Sequence, residues 1–514
     1  MQSFVERGGV AGLFCAQSTM IEGESNFVKQ RLSFQRISML LGLTVAAFAV
    51  HGYHPYVEDA EIYLPGIKKL LHPELYAQNQ GFFASHAGMT LFPNLIAASV
   101  RITHLPFDWA ILAWQFLCVF LLLLASWRIG RAAFGDALAA WGGTALVASL
   151  LTLPVAGTAL YIMDQYLNTR SLSAAAVMMM VAAIVERRYI PAVLWGVFTA
   201  MIHPLMFVFG AFFGAVLIGV RMSATHQETG KLAFAALLPL GLFPPMSPDY
   251  HEALLSRSYF FLGCWAWYEW LGMVAPFAIF WWFARVAKKR DLPEMELLCR
   301  AANVFSAVMF LVSLLTIPRA FERYTLLQPM RYLHLIYILM AILGGGLLAQ
   351  FVMQRKVWRW LALFVPLCAG MFLAQRAVFP GSPHLELPWR SSPNPWVQAF
   401  DWVRVNTPKD AYFALNPRHM VLPGEDQHGF RALAERSMIA DAIKDSGAVT
   451  MFPALAGTWK EQMRAESGWN HFQRSDFDRL HHDYGVTWVV LERTSPVHLT
   501  CPYQNDLLQV CRVE

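Results

Sequence analysis

The sequence predicts an α-helical polytopic membrane protein with about eleven transmembrane helices and a C-terminal soluble α/β domain. The first observation is composition, because the chain of 514 residues is 56% hydrophobic and only 15% charged, with a mean hydropathy of +0.40. The second is that short clusters of Lys and Arg lie between the apolar segments. The third is that these segments stop near residue 379, after which the sequence becomes polar.

The basic clusters predict the topology, because cytoplasmic loops of membrane proteins are enriched in Lys and Arg. Lys29, Arg31 and Arg36 precede the first apolar segment and place a tail of residues 1–33 in the cytoplasm. This tail lacks a secretory signal pattern, and Met20 is a second candidate start. The later clusters also fall on the cytoplasmic side if the spans are Ile37–Val50, Phe107–Trp127, Leu138–Val155, Ser171–Val185, Pro191–Ile202, Leu205–Val220, Leu232–Leu242, Trp267–Phe283, Val304–Ile317, Met330–Phe351 and Leu361–Val378.

The predicted transmembrane domain comprises residues 34–379 and has a first external loop at residues 51–106. Within this loop, Met89–Val100 falls short of the roughly 20 apolar residues that a span requires. It also contains Pro93 and Asn94. We therefore predict a juxtamembrane helix there.

A proline-rich linker at residues 380–395 leads to a predicted α/β domain at residues 396–514. An odd number of spans places this domain outside, opposite the N-terminus. Its periodicity predicts helices at Trp396–Val405 and Phe477–Asp483, and strands at Ala411–Leu415, Thr487–Leu491 and Leu508–Val513.

The seven cysteines show no metal-ligand spacing. Cys501 and Cys511 lie in the external domain, where disulfides persist, so we expect a bridge between them. The others are expected to be free thiols of the tail or of lipid-embedded segments: Cys15, Cys118, Cys264, Cys299 and Cys368.

An acidic cluster follows the first predicted span. Glu58, Asp59 and Glu61 lie within 4 positions, close to where that span leaves the membrane. Carboxylates beside the hydrocarbon layer are costly to desolvate, so such a cluster is a candidate functional site. The alternative interpretation is an ordinary solvated loop.

This layout resembles the C-type (GT-C) glycosyltransferases, membrane enzymes that use lipid-phosphate sugars. The resemblance covers nearly the whole chain: an acidic external loop after the first span, juxtamembrane helices within it, paired short spans and a terminal external α/β domain. In the lipid A aminoarabinose transferase branch, a Tyr lies four positions after the Asp of this loop, as Tyr63 follows Asp59 in DAEIY. The neighbouring acid departs from the family pattern, because Glu58 precedes Asp59 instead of following it.

The resemblance implies transfer of a sugar from a polyprenyl-phosphate donor to an acceptor hydroxyl, whose proton a carboxylate must take. Asp59 is the first candidate for this base, and Glu58 is the second. If Glu58 starts a helix, Glu61 falls on the same helical face. Two acids there could hold a divalent ion or raise each other's pKa.

The leaving phosphate needs positive charge. Arg331 opens the penultimate predicted span and could bind phosphate oxygens bidentately, or it could extend to the lipid headgroups. Asp164, in a later external loop, is on the same side as Asp59, as C-type transferases often place a second carboxylate. Arg170 follows at the membrane entry. A solvated loop residue is the alternative for Asp164.

His86 and His203 complete the candidates for substrate binding, although a lone His beside a helix break is more often a hydrogen-bonded structural residue. The resemblance gives no certain cofactor. If the protein uses Mg²⁺ or Mn²⁺, Asp59 and Asp164 are the expected ligands.

The expected partners are membrane lipid, the polyprenyl-phosphate sugar donor, and a glycan, lipid or protein acceptor. Nucleic acid is not expected, because the net charge of +5 comes from short clusters rather than a basic stripe. The chain has no Asn-x-Ser/Thr site with a permitted middle residue, which favours a bacterial inner membrane, with the C-terminal domain in the periplasm, over the endoplasmic reticulum.

Two other classes of function stay open. A secondary transporter would carry charged residues near the midplane on discontinuous helices repeated in both halves, but no internal repeat is evident and the polar candidates gather near one face. A transferase-shaped protein that has lost catalysis and binds lipid or glycan during assembly would fit the same sequence.

Overall fold

The computed structural model describes residues 34–225, 247–318 and 324–513. The predicted tail of residues 1–33 and the predicted span Leu232–Leu242 lie outside the described residues. The N-terminal part of the fold is a bundle of apolar helices interrupted by one helical loop. Its helices are α1 (Phe34–His51), the loop helices α2 (Ala60–Leu71), α3 (Gly81–Met89) and α4 (Phe92–Thr103), then α5 (Phe107–Phe134), α6 (Ala137–Ser149), α7 (Thr169–Val185), α8 (Tyr189–Ile202), α9 (Pro204–Thr225), α10 (Pro248–Leu255), α11 (Trp267–Lys289), α12 (Pro293–Leu314), α13 (Leu333–Leu347) and α14 (Val357–Val378).

Seven of the described helices are long and apolar enough to cross a membrane. They are α1, α5, α9, α11, α12, α14 and the run Tyr324–Met353, which contains α13. Helices α6, α7 and α8 are apolar but shorter. Each predicted span within the described ranges overlaps one of these helices, and α4 covers the predicted juxtamembrane segment. The predicted total of about eleven spans is not confirmed, because only seven described helices have both the length and the hydropathy that a membrane span requires.

Helix α12 begins earlier than predicted, at Pro293 instead of Val304. Proline at the first helical position and acidic residues in the first turn both favour a helix start. Glu294 in that turn accepts a hydrogen bond from Arg221 of α9 at 2.7 Å. An acidic residue of this first turn is thus paired with a neighbouring helix.

Short helices in this bundle pack backbone to backbone through glycine. A Cβ atom on Gly143 of α6 would lie 2.4 Å from the carbonyl oxygen of Ile342 in α13. A Cβ atom on Gly345 would lie 2.5 Å from the carbonyl oxygen of Gly142. Membrane helices gain van der Waals contact when small residues let their backbones approach, so these glycines hold α6 against α13.

The C-terminal domain contains one five-stranded mixed sheet. The strand order is β2-β1-β3-β5-β4, with β1 parallel to β2 and β3, and β5 antiparallel to β3 and β4. Its elements are α15 (Pro395–Asn406), β1 (Tyr412–Leu415), α16 (Phe430–Ala434), β2 (Ser437–Met438), α17 (Asp445–Met451), α18 (Ala456–Ala465), α19 (Arg474–Tyr484), β3 (Trp488–Glu492), β4 (Thr500–Gln504) and β5 (Leu508–Arg512). The segments predicted as helix or strand coincide with α15, β1, α19, β3 and β5.

The loop that follows α1 pairs directly with the linker and with the C-terminal domain. The backbone N–H of Tyr53 donates to the carbonyl of His384 at 3.0 Å, and Glu386 donates back to Tyr53 at 2.9 Å. Nearby, the N–H of Gly429 donates to the carbonyl of Tyr56 at 2.8 Å. These bonds dock the C-terminal domain on the loop that carries the acidic cluster.

Candidate active site

The acidic cluster lies at the N-terminal end of α2. This helix begins at Ala60, so Glu58 lies outside it, in the left-handed region with a φ of 55°. Asp59 is the N-cap residue, and its side chain makes no capping hydrogen bond. The expected pairing of Glu58 with Glu61 on one helical face therefore does not form, because the helix starts two residues too late.

Arg170 connects Asp59 to Asp164. Its NH1 atom lies 2.7 Å from Oδ2 of Asp59, and its NH2 atom lies 3.2 Å from Oδ2 of Asp164. The planar guanidinium carries several donors in fixed directions, so one arginine can orient two carboxylates at once. Three of the residues selected from the sequence are thus brought together.

The start of α7 fixes the position of Arg170. Asn168 caps this helix, with its Oδ1 atom accepting a hydrogen bond from the N–H of Ser171 at 2.8 Å. The Nδ2 atom of Asn168 donates to Oδ2 of Asp164 at 2.7 Å. The carbonyl of Asp164 accepts a further bond, from Gln115 of α5, at 2.6 Å. Asp164 is therefore part of an ordered helix start and not a freely solvated loop residue.

Lys444 completes the cluster from the C-terminal domain. Its Nζ atom lies 3.1 Å from Oδ1 of Asp59 and also contacts Oε2 of Glu58. The Lys444 side chain is only 5% exposed, whereas that of Glu58 is 40% exposed. Lys444 was not predicted from the sequence, because it lies in a polar segment of the C-terminal domain with no motif around it.

Two cations set the protonation of Asp59. Burial by itself would raise the pKa of this carboxyl, but Lys444 and Arg170 outweigh burial and hold the pKa well below its ordinary value. Asp59 is therefore ionised at neutral pH. The same two cations make it a weak base while they stay in contact.

Glu61 faces away from this cluster and into the C-terminal domain. Its carboxylate accepts hydrogen bonds from the backbone N–H groups of Arg431 at 3.0 Å and Ala432 at 2.9 Å. The guanidinium of Arg431 also approaches it at 3.3 Å and binds both oxygens of Asp445. Burial raises the pKa of Glu61 to about 8 against the effect of Arg431. These contacts indicate that Glu61 joins the loop to the domain, which differs from its expected part in substrate binding.

Arg331 lies in a single 3-10 turn at Pro329–Tyr332, just before α13. Its electrostatic partners include Tyr259, Arg170 and Asp59. Its Nε atom is buried and has no hydrogen-bond partner among the described residues. A buried N–H without an acceptor is costly, and it marks a position where a ligand oxygen would be stabilised.

The two candidate histidines have different surroundings. His86 in α3 packs its ring against Tyr63 and Phe452, at centroid distances of 6.0 and 5.2 Å. Burial lowers the pKa of His86 to about 4, with Asp59 acting in the opposite direction. His203 lies between α8 and α9, and its electrostatic partners are Arg170, Arg331 and His334. Both histidines therefore border the cluster, but neither donates to or accepts from Asp59.

A divalent metal does not fit these residues as they stand. The carboxylate oxygens of Asp59 accept from Arg170 and Lys444, and the side-chain oxygen Oδ2 of Asp164 accepts from Arg170 and Asn168. Within the described ranges, no group of three or more His, Cys, Asp or Glu residues could hold a metal. We therefore derive no step through Mg²⁺ or Mn²⁺.

A small pocket lies beside Arg170. Asp164, Arg170, Met206 and His334 are among its lining residues. Asp59 and Glu58 do not line it. The space therefore lies against the Asp164 end of the ion-pair chain.

The structure joins Cys501 and Cys511 in a disulfide between the antiparallel strands β4 and β5. None of the contacts of Asp59 described above involves these strands. The bridge therefore belongs to the edge of the sheet, apart from the candidate site.

No family model matches the sequence, and no curated protein matches it. Among solved structures, the chain is similar to the oligosaccharyltransferase of Archaeoglobus fulgidus in its apo form, with 13% sequence identity, a TM-score of 0.43, and coverage of 88% of this chain and 69% of that chain. It is also similar to that enzyme in complex with Zn and sulfate, with 13% identity, a TM-score of 0.45, and coverage of 88% and 67%. Because these scores are low, the proposals below rest on the residues of this chain.

Proposed function

We propose that this protein is a GT-C-type glycosyltransferase that moves a sugar from a polyprenyl-phosphate donor to an acceptor hydroxyl at the outer face of the membrane. The observation that carries the proposal is the Asp59 carboxylate, which is held by Arg170 and Lys444 near an arginine that has an unpartnered N–H. A carboxylate and spare positive charge in one place are what this transfer requires.

Asp59 is the proposed base. The acceptor oxygen forms a bond to the anomeric carbon of the sugar while its proton passes to the carboxylate of Asp59. The bond between the anomeric carbon and the phosphate oxygen breaks, and its electron pair leaves on the phosphate. Glu58, which shares Lys444 with Asp59, is the second candidate for the proton acceptor.

Arg331 is the proposed ligand for the phosphate. Its buried Nε lacks an acceptor among the residues that the structure describes, and a phosphate oxygen would supply one. Because negative charge grows on the phosphate as the glycosidic bond breaks, a guanidinium in a poorly hydrated site stabilises the transition state more than the ground state. His86 and His203 have electrostatic partners in this cluster and are proposed to contact the sugar or the acceptor.

The proposed location is a bacterial inner membrane with the site on the periplasmic side. The first loop, the start of α7 and the turn before α13 lie at helix ends that the charge distribution predicts to be outside. The C-terminal domain docks on the same loop, so it lies on the same side. A lipid-linked donor in the outer leaflet would reach this face directly.

The test is complementation of a deletion strain with variants of the full chain. We expect Asp59→Asn to lower glycosyl transfer about 100-fold or more, as expected for loss of a general base, while protein abundance in the membrane stays normal. Mass spectrometry of extracted glycans and glycolipids, compared with the deletion strain, identifies the missing product.

The matched control is Glu74→Gln. Glu74 is an acid of the same loop, but it is 48% exposed and pairs with the exposed Lys409. We expect this variant to restore the full glycan profile. If Asp59→Asn also restores the full glycan profile, the proposed transferase activity is rejected and a binding role is favoured.

A further inference from the structure

Lys444 reaches the acidic cluster from a segment that is held in place on several sides. Oδ1 of Asp441 accepts hydrogen bonds from the backbone N–H groups of Ile443 at 2.7 Å and Asp445 at 3.2 Å, and from that of Lys444 itself. The carboxylate of Asp445 is in turn fixed by Arg431. The position of the Lys444 backbone is therefore set by the domain and does not depend on the ion pair.

Arg257 holds the other side of this segment. Its guanidinium donates to the carbonyl of Ile443, the residue before Lys444. A Cβ atom on Gly447 would lie 2.6 Å from NH2 of Arg257, so a side chain there would displace the arginine from its present position. The Nε atom of Arg257 is buried and has no hydrogen-bond partner among the described residues. A second arginine with a spare N–H thus lies beside Lys444.

The side chain of Lys444 is the mobile part of this arrangement. A lysine ammonium is a compact charge on a flexible four-carbon stem, so it can exchange one anion for another without movement of the backbone. In the described structure it binds Asp59, the proposed base, and Glu58, the second candidate. An acceptor hydroxyl cannot give its proton efficiently to a carboxylate that a cation already stabilises.

We infer that Lys444 is a gate: it pairs with Glu58 and Asp59 in the free protein and transfers its ion pair to the phosphate of the bound donor, which leaves Asp59 able to accept a proton. Lys444 is a positioning residue in this scheme, since its effect on the acceptor acts through Asp59. Donor binding is thereby required before the base becomes active. This inference rests on the proposed function and names the C-terminal domain as part of the site.

The titration of Asp59 is the direct readout, and it depends on every charged group around the carboxyl. Those groups are Glu58, Tyr63, His86, Asp164, Tyr166, Arg170, Arg331 and Lys444. Within the described part of the chain, only Lys444 and Arg170 touch the carboxyl itself. Arg170 is also paired with Asp164, so Lys444 is the cation that can leave without breaking the chain of ion pairs within the membrane domain.

The experiment measures the protonation of Asp59 in the purified full-length protein by infrared difference spectroscopy, with the carboxyl band assigned by its loss in Asp59→Asn. We expect Lys444→Gln to raise the titration midpoint of this band by about one pH unit or more, because a cation in contact is removed. We expect farnesyl phosphate to raise the midpoint of the wild-type protein and to leave that of Lys444→Gln nearly unchanged.

Lys444→Arg is the second variant, which keeps the charge and should keep the low midpoint. Lys409→Gln is the matched control, because Lys409 is a lysine of the same domain whose side chain is 60% exposed. We expect this variant to behave as the wild-type protein does. The gate is overturned if the titration midpoint of Lys444→Gln equals that of the wild-type protein. It is also overturned if saturating farnesyl phosphate leaves the wild-type midpoint unchanged, or if farnesyl phosphate does not bind. None of these outcomes depends on transferase activity, so the gate and the proposed function can fail separately.

Discussion

The Nζ atom of Lys444 lies 3.1 Å from Oδ1 of Asp59, although the two residues are 385 positions apart in the sequence. The contact joins the C-terminal domain to the acidic cluster of the first loop. The guanidinium of Arg431 makes a second such link, 3.3 Å from Oε1 of Glu61, which is 370 positions away. The C-terminal domain is therefore built into the candidate site and is not a separate appendage.

Arg431 is expected to be essential for this docking. Its side chain is 1% exposed; it pairs with the buried carboxylate of Asp445 and also donates to Glu61. Replacement by Ala would leave Asp445 without its cation, and the loss of one partner of a buried ion pair costs about 3–5 kcal/mol. We predict that Arg431→Ala lowers the melting temperature of the detergent-solubilised protein and exposes the linker to protease.

Arg418→Ala is the matched control for this experiment. Arg418 belongs to the same domain, but its side chain is exposed. We expect a change within about 0.5 kcal/mol for such a surface position. Equal melting temperatures for the two variants would show that the buried cluster contributes nothing to docking.

A second junction is expected to make docking sensitive to pH. Glu386 in the linker accepts hydrogen bonds from His54 of the first loop at 2.8 Å and from His428 of the C-terminal domain at 3.1 Å. Burial opposes the charged imidazole, but Glu386 outweighs it and raises the pKa of His428 from 6.5 to about 9. Burial would likewise raise the pKa of Glu386, yet His428 and His54 lower it from 4.5 to about 2.

The sign of the effect follows from proton binding. Between its unfolded and folded pKa values His428 binds more protons in the native state, so its stabilisation is complete below pH 6.5 and is lost as the pH rises through about 9. The contribution of Glu386 is complete above pH 4.5 and is lost only as the pH falls through about 2. We predict that docking weakens between pH 7 and 9.5, by an amount on the order of 3 kcal/mol.

The measurement is thermal unfolding across that pH range for the wild-type protein and His428→Gln. Glu61 also loses a stabilising proton as the pH rises through about 8, so the difference between the two proteins isolates the contribution of His428. His482→Gln is the control, because this side chain is 88% exposed. Parallel pH profiles for wild type and His428→Gln would contradict the prediction.

The sequence was sufficient to locate the apolar helices of the described ranges, because hydrophobic length is a local signal, although the predicted total of about eleven spans is not confirmed. The sequence placed a span at Val304–Ile317 and missed the first turns of α12, where Glu294 is paired with Arg221 in the fold. It also missed β2, whose two residues are too short for any periodicity. In both places tertiary contacts determine the structure.

Part of the candidate site was also predictable. Asp59 was selected from the acidic cluster and the resemblance, Asp164 because the predicted topology puts it on the same side, and Arg170 because it follows at the membrane entry. The structure brings these three residues into contact. Lys444 could not be found in this way, because no local pattern marks a lysine that pairs across 385 positions. The contact of Glu61 with Arg431 could not be predicted for the same reason, since the two residues are 370 positions apart.

Arg170 gives the sharpest prediction for activity. Its two terminal nitrogens bind Asp59 and Asp164 at 2.7 and 3.2 Å, and a lysine ammonium at the end of a single stem cannot reproduce both contacts. We predict that Arg170→Lys lowers glycosyl transfer about 10- to 100-fold, because misplacement of a reacting group by about 1 Å has an effect of this size.

Asp164→Asn should lower glycosyl transfer less than Asp59→Asn does, since Asp164 acts on Asp59 only through Arg170. The measurement is product formation by membranes from the complemented strain, normalised to protein level. Arg390 is an exposed arginine of the linker, so Arg390→Lys should retain full activity. An Arg170→Lys variant with the same activity as this control would show that the ion-pair chain does not orient the base.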